Sequence, residues 1–221
     1  MNLLWCALSQ LVPILGPIAF LGYQFEIVKT LEQKPDSDYP DVDVNQCVDY
    51  FKRGVWPFLA MLCVALPVSM IMSVIVIVAM LIAMAMIAPN ARNNPELAAA
   101  LGVLVYVVML LVMILLSFLI QIIVLPVSIR AGLSQDFGKA FDVSWIKSFI
   151  SKMWREILLT SLFMFATSIP IGIAGYAVCC VGLYPAIALI SLAYTHFYAQ
   201  LYKQFLARGG EPVPHKDGPD F

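Results

Sequence analysis

Two uninterrupted apolar runs decide most of what this chain can fold into. Residues 55–88 carry no charged side chain, and neither do residues 97–129, where Gln121 is the only amide. Each run exceeds the ~20 residues that a helix rising about 1.5 Å per residue needs to cross a ~30 Å hydrocarbon layer. Soluble domains carry about 25% charged residues, whereas this chain carries 12%, with a mean hydropathy of +0.89. The alternating segments of about ten residues that build a membrane β-barrel are absent. The fold class is therefore all-α, an integral membrane bundle.

The hydropathy pattern predicts about five spans in a single domain, residues 1–207: 3–28, 58–84, 98–125, 157–175 and 182–206. The fourth and fifth come from one apolar block that must fold back, and "GYAVCCVG" at 175–182 supplies the turn, since Gly is costly in a helix and cheap in a turn. Met1 has no basic region behind it, so the first apolar stretch reads as a retained span rather than a secretory signal. Residues 208–221, rich in Pro, Gly and charge, read as a disordered tail. Every span contains or directly adjoins proline (Pro13 and Pro17, Pro67, Pro126, Pro170, Pro185), read either as hinges or as ordinary kinks that neighbouring helices tolerate.

Basic residues give the orientation. Of 13 Lys and Arg residues only Arg92 falls between the second and third spans; the others lie in the segments after spans one and three or near the C-terminus. The positive-inside rule makes that side cytoplasmic, with the N-terminus out and the C-terminus in.

Two polar segments interrupt the apolar background, "DVDVNQCVDYFKRGVW" (41–56) and "FDVSWIKSFISKMW" (141–154). In the first, Val44, Cys47, Val48, Phe51 and Val55 share a helical face; in the second, Val143, Ile146, Phe149, Ile150 and Met153 do. Asp43 and Asp142 stand where helix N-caps belong. The pattern predicts two amphipathic interfacial helices, 43–56 and 142–155, lying on the cytoplasmic leaflet. Their lipid contacts would be Lys52, Arg53, Trp56, Lys147, Lys152 and Trp154, with Trp145 also at headgroup level. The alternative is that each segment is the first turns of the following span. The two copies also fit an internal parallel repeat.

The stretches "LGPIAFLGYQFEIVKTLEQKP" (15–35), "YPDVDVNQCVDYFKRGVWPFLAMLCVALP" (39–67) and "VGLYPAIALISLAYTHFYAQLYKQF" (181–205) resemble a family of small prokaryotic polytopic membrane proteins known as a domain of unknown function. They are also similar to the membrane portion attached to some glycerophosphodiester phosphodiesterases. The resemblance implies a bacterial or archaeal cytoplasmic membrane and brings no catalytic residues.

Chemistry is sparse. No nucleophile elbow, zinc-protease helix or phosphate loop is present, and no metal site or cofactor is implied. The acidic run Asp36, Asp38, Asp41 and Asp43 lacks the spacing of an EF-hand loop. Five cysteines include one vicinal pair, Cys179–Cys180, read as a strained disulfide or as small apolar filler. Glu26 sits near the end of the first span, within reach of Lys29. The candidate intramembrane polar site is Gln121, Tyr194, His196, Tyr198 and Gln200, which would either hold a headgroup or solute or simply join helices. Small residues at Ala79/Ala83 and Ala98/Gly102 permit close helix contact. A net charge of −1 gives nucleic acid no electrostatic footprint. Bilayer lipid and other membrane-protein subunits are the partners implied. The reading is a non-catalytic accessory or assembly subunit of a membrane complex, with a small-solute or lipid transporter as the alternative.

Overall fold

The computed structural model describes residues 2–34, 39–178 and 181–214, without the side chains of Asn2, Asn90, Arg92 and Asn93. Seven α-helices follow in order: α1 (Asn2–Ser9), α2 (Leu15–Gln33), α3 (Cys47–Asn93), α4 (Pro95–Ser134), α5 (Phe137–Ala140), α6 (Val143–Ala177) and α7 (Leu183–Ala207). A single 3₁₀ turn, Val44–Gln46, precedes α3, and no strand occurs among the described residues. Three segments are long and apolar enough to cross a membrane: Val44–Pro89, Pro95–Ser134 and Val143–Ala177. Among the described residues neither α2 nor α7 meets that standard, and the count of five spans is not confirmed. Cys6, Cys47 and Cys63 are free, whereas Cys179, Cys180, Asp36, Asp38 and His215 lie outside the described residues.

The expected first span, 3–28, is two helices rather than one. Pro13 has no N–H to continue α1, and Ile14 is forced to φ 68°, the left-handed region that costs a β-branched residue most. The chain then reverses. Gly16 presses against the Ser9 carbonyl, a contact that a side chain would block. Eight residues of α1 rise only about 12 Å, too little to cross a bilayer.

The two interfacial helices are not separate either. Residues 47–56 are the opening turns of the 47-residue α3, and residues 143–155 open the 35-residue α6. Nothing at Trp56 or Trp154 stops propagation; even Pro57 continues the helix. The caps sit at the start. Asp43 accepts from the Asn45 amide at 2.9 Å, and Asp142 accepts from the Ser144 and Trp145 amides at 3.0 and 3.3 Å. Each satisfies amides that a helix start leaves orphaned. Asn94 does the same for α4, accepting from Leu97 with Pro95 at the first helical position.

The chain divides into two compact units. One, Leu62–Ile120, is the distal half of α3 and the proximal half of α4. Its large side chains are mostly exposed, whereas Ala83 and Ala98 are buried.

The other unit, Met1–Met61 with Gln121–Phe221, holds the packed core. Trp145, Phe149, Met153 and Ile157 form an i, i+4 stripe on α6 that meets Leu201, Tyr202 and Phe205 of α7. Phe149 and Phe205 stand 4.7 Å apart between ring centroids, and Trp145 is edge-on to Phe205 at 5.3 Å. Trp145 is thus a core residue and not a headgroup anchor. Gly22 of α2 and Gly54 of α3 face each other, each closing on the other helix's backbone. Gly132 similarly seats the Phe25 ring on α4. The turn between α6 and α7 is equally tight, with Gly175 and Gly182 in mutual contact.

The face of α3 that this core buries is not the apolar stripe that the sequence assigned to the leaflet. Tyr50, Pro57 and Ala60 are buried, while Val44 and Val48 are exposed. Those exposed residues, with Cys47 and Phe51, line an apolar groove of about 630 Å³ against α1 and α2.

The first residues beyond α7 are packed rather than disordered. Val213 is buried and donates its amide to the Tyr202 hydroxyl at 2.8 Å. Trp145 donates its indole N–H to the Glu211 carbonyl at 2.8 Å. Residues 208–214 therefore form a strap across the α6–α7 pair.

Candidate functional site

The residues predicted as one intramembrane polar site separate into two groups, because α7 presents them on different faces. Gln121 of α4 bonds the Tyr198 hydroxyl, and Tyr194 packs edge-on to Tyr198 at 6.2 Å. Thr195, buried next to them, returns its hydroxyl to the Ser191 carbonyl at 2.9 Å. This group joins α4 to α7.

His196 and Gln200 lie on another face. The His196 Nε2 meets the Gln200 amide nitrogen at 2.8 Å, and its Nδ1 meets the Tyr39 hydroxyl at 2.8 Å. With the amide N–H donating to Nε2, the ring carries its proton on Nδ1 and donates to Tyr39. The pair fastens the segment before α3 to α7.

Gln200 also borders a mixed polar and apolar cleft of about 230 Å³ between α6 and α7, with Glu156, Leu159, Thr160, Phe197, Leu201 and Gln204. Glu156 and Thr160 are one turn apart on α6, and Gln200 and Gln204 one turn apart on α7, so both pairs face the gap. Glu156 is held by an ion pair from Arg208, which also donates to the Lys152 carbonyl at 2.6 Å. Lys152 in turn donates to the Gly209 carbonyl and lies 5.7 Å over the Phe205 ring. At the opposite end of the cleft, Phe163 and Phe197 meet edge to face at 5.9 Å. Among the described residues, Thr160 and Gln204 have no side-chain hydrogen-bond partner. The cleft therefore runs from cations, through uncommitted hydroxyl and amide groups, to aromatic carbon.

Sequence reasoning found Gln200 but missed Glu156, Thr160, Gln204 and Arg208. The signal was present as two i, i+4 polar pairs at facing ends of consecutive apolar helices. Only their pairing across the turn shows that they converge.

The predicted lipid contacts also divide. Lys52, Trp56, Lys147 and Trp154 are exposed, Lys52 making only a surface pair with Asp49 at 3.6 Å. Arg53 instead turns inward to Glu26 at 3.3 Å, both about four-fifths buried, so Glu26 pairs with Arg53 across α2 and α3. Lys152 is half-buried under the strap.

A second ionic joint lies where α4, α5 and α6 meet. Arg130, only 10% exposed, donates to the Lys139 carbonyl and to the Asp142 carboxylate, both at 2.7 Å, with its guanidinium 5.0 Å from the Trp145 ring centroid. Hydrogen bonds from the Ser144 hydroxyl and the Trp145 amide, aided by Arg130, hold the Asp142 carboxyl below the usual carboxylate range.

A helical chain with three segments long and apolar enough to cross a bilayer has the architecture of a polytopic membrane protein. The chain belongs to the family described as a protein of unknown function (DUF4013), which matches residues 5–180. The closing helix used above for the resemblance, 181–205, lies beyond the matched residues. No curated protein and no solved structure gives a match, and the likeness to the membrane portion of glycerophosphodiester phosphodiesterases finds no support among these comparisons.

Proposed function

We propose that this chain is a non-catalytic integral membrane protein that acts as an accessory or assembly subunit. The carrying observation is the contrast between its two units. The hairpin Leu62–Ile120 leaves Leu81, Ile82, Tyr106 and Leu111 more than half exposed, whereas the other unit buries a continuous aromatic core. A hairpin this apolar and this bare offers its faces to lipid or to another subunit's helices. A transporter would instead set polar groups around a cavity at mid-bilayer; here Gln121 is engaged with the Tyr198 hydroxyl across α4 and α7.

We further propose that α3, α4 and α6 cross a cytoplasmic membrane with the basic residues inside, and that the 25-residue α7, less apolar than those three, makes the return crossing. Because α1 folds back along α2, both termini would share the cytoplasmic side. This reading departs from the N-terminus-out expectation, which took residues 3–28 as one span; it is supported by the break at Pro13–Ile14 that separates α1 from α2.

Photo-crosslinking in native membranes tests the subunit reading. A photoreactive residue at Leu81 or Leu111 should give discrete protein adducts, from another polypeptide or a second copy. Lipid-only adducts from both positions, together with a monomer in mild detergent, would overturn it.

A further inference from the structure

We infer that the α6–α7 cleft is a binding site for one anionic phospholipid, resting on the membrane reading above. The order of groups along the cleft matches the order along such a molecule. Lys152 and Arg208 stand at one end with the single carboxylate Glu156, leaving one net positive charge. Arg155 lies on the same turn of α6, its guanidinium 5.2 Å from the Trp154 ring centroid. This end takes a phosphodiester.

The hydroxyl of Thr160 and the amides of Gln200 and Gln204 come next. Their N–H and O–H groups suit ester carbonyls, which accept hydrogen bonds and cannot donate them. Beyond them, Leu159 and Phe163 are exposed at 68% and 56%, alongside Phe197, and form an open apolar surface for an acyl chain. Among the described residues Thr160 and Gln204 have no side-chain hydrogen-bond partner in the protein, so both can donate to a lipid carbonyl. The orientation follows from the chain itself, since the cationic end coincides with the basic ends of both helices and the aromatic end points along their apolar lengths.

Native mass spectrometry of the full-length protein, released from nanodiscs of mixed phosphatidylglycerol and phosphatidylcholine, reads this directly. The wild type should retain one phosphatidylglycerol in at least five-fold preference over phosphatidylcholine. The double variant Thr160→Val/Gln204→Leu, and separately Arg208→Gln, should lose that adduct by at least five-fold with an unchanged helical circular-dichroism spectrum. Lys139→Gln removes an exposed basic side chain elsewhere and should keep it. Equal retention of both lipids, or equal loss in Lys139→Gln, would reduce the effect to general surface charge and overturn the site. Displacement of the adduct by millimolar inorganic phosphate would show that the cleft reads phosphate alone, and would overturn the lipid assignment. Should Arg208→Gln fail to fold, the Thr160/Gln204 variant decides, because neither side chain carries a structural hydrogen bond. Recovery of the wild type without a nanodisc, in the aqueous fraction, would refute the membrane reading itself.

Discussion

Replacing Gly54 by Ala should destabilise the protein, while the same change at Gly172 should stabilise it. A methyl at Gly54 would overlap the Ile18 carbonyl oxygen of α2 and approach the Gly22 nitrogen to 2.9 Å. Both obstacles are backbone, so no rotamer relieves them and the helices must separate. Carbon and oxygen atoms need about 3.5 Å, and a gap of 0.5–1 Å already forfeits about a quarter to a half of each neighbouring dispersion contact. The contacts at stake include those of the buried Ile18, Phe20, Tyr23 and Tyr50. Overpacking of this kind costs about 1–3 kcal/mol, against a helix-propensity gain of roughly 1 kcal/mol for Gly→Ala. Backbone obstruction puts Gly54 at the upper end, for a net loss of about 1–2 kcal/mol. Gly172 has nothing within 4 Å of the added methyl, so only the propensity gain operates there. At roughly 2–4 °C per kcal/mol for a chain of this size, thermal unfolding in detergent should move down by about 2–8 °C in one variant and up by about 2–4 °C in the other. Intrinsic fluorescence suits the measurement, since Trp145 lies in the core. If both variants shift in the same direction, the Gly22–Gly54 crossing is not the close contact described.

Asp142 predicts a pH dependence. Its folded carboxyl titrates below its unfolded value of about 3.9, so its contribution is complete above that value and is lost as pH falls through the folded pKa. Thermal stability should therefore fall more steeply below about pH 4 in the wild type than in Asp142→Asn, which is already weakened at neutral pH; parallel curves would refute the assignment. Truncation after Gly209 removes the Val213 anchor and leaves the indole of Trp145 and the hydroxyl of Tyr202 without their strap partners. The loss should be about 2–4 kcal/mol by the same melt, from one buried Val and two hydrogen bonds. A cysteine-specific, membrane-impermeant label applied to intact cells should miss a cysteine placed at Asn2 and react once the membrane is opened. Labelling in intact cells would restore the N-terminus to the outside and with it a first crossing.

What the sequence made legible was set by charge and by length. Residues 55–88 and 97–129 could only be long apolar helices, and Asp142 could be read as a cap because a short acidic side chain before an apolar run has one common use. The faces of those helices were another matter. In water, an apolar stripe marks the core; beside lipid, a core-facing and a lipid-facing stripe have the same composition. Hence Val44, Cys47, Val48 and Phe51 could be read as the apolar face that an interfacial helix lays on the leaflet, but nothing in that stripe showed that α3 packs on the protein through Tyr50, Gly54 and Pro57 and leaves the valines on the groove. Trp145 illustrates the same ambiguity. Tryptophan near basic residues fits a headgroup belt, yet here the basic residue is Arg130, buried with it and fixed by Asp142. Glycine was the most opaque signal, since Gly22 and Gly54 are informative only as a pair and lie on different helices. The polar cleft failed to announce itself for that reason too. Glu156 and Thr160, like Gln200 and Gln204, are unremarkable i, i+4 neighbours until the Gly175–Gly182 turn folds α7 back along α6 and sets four polar side chains across one gap. A tight glycine turn between two apolar helices therefore predicts more than a reversal: it brings polar residues at equal distances from the turn into register, and a site is to be sought there.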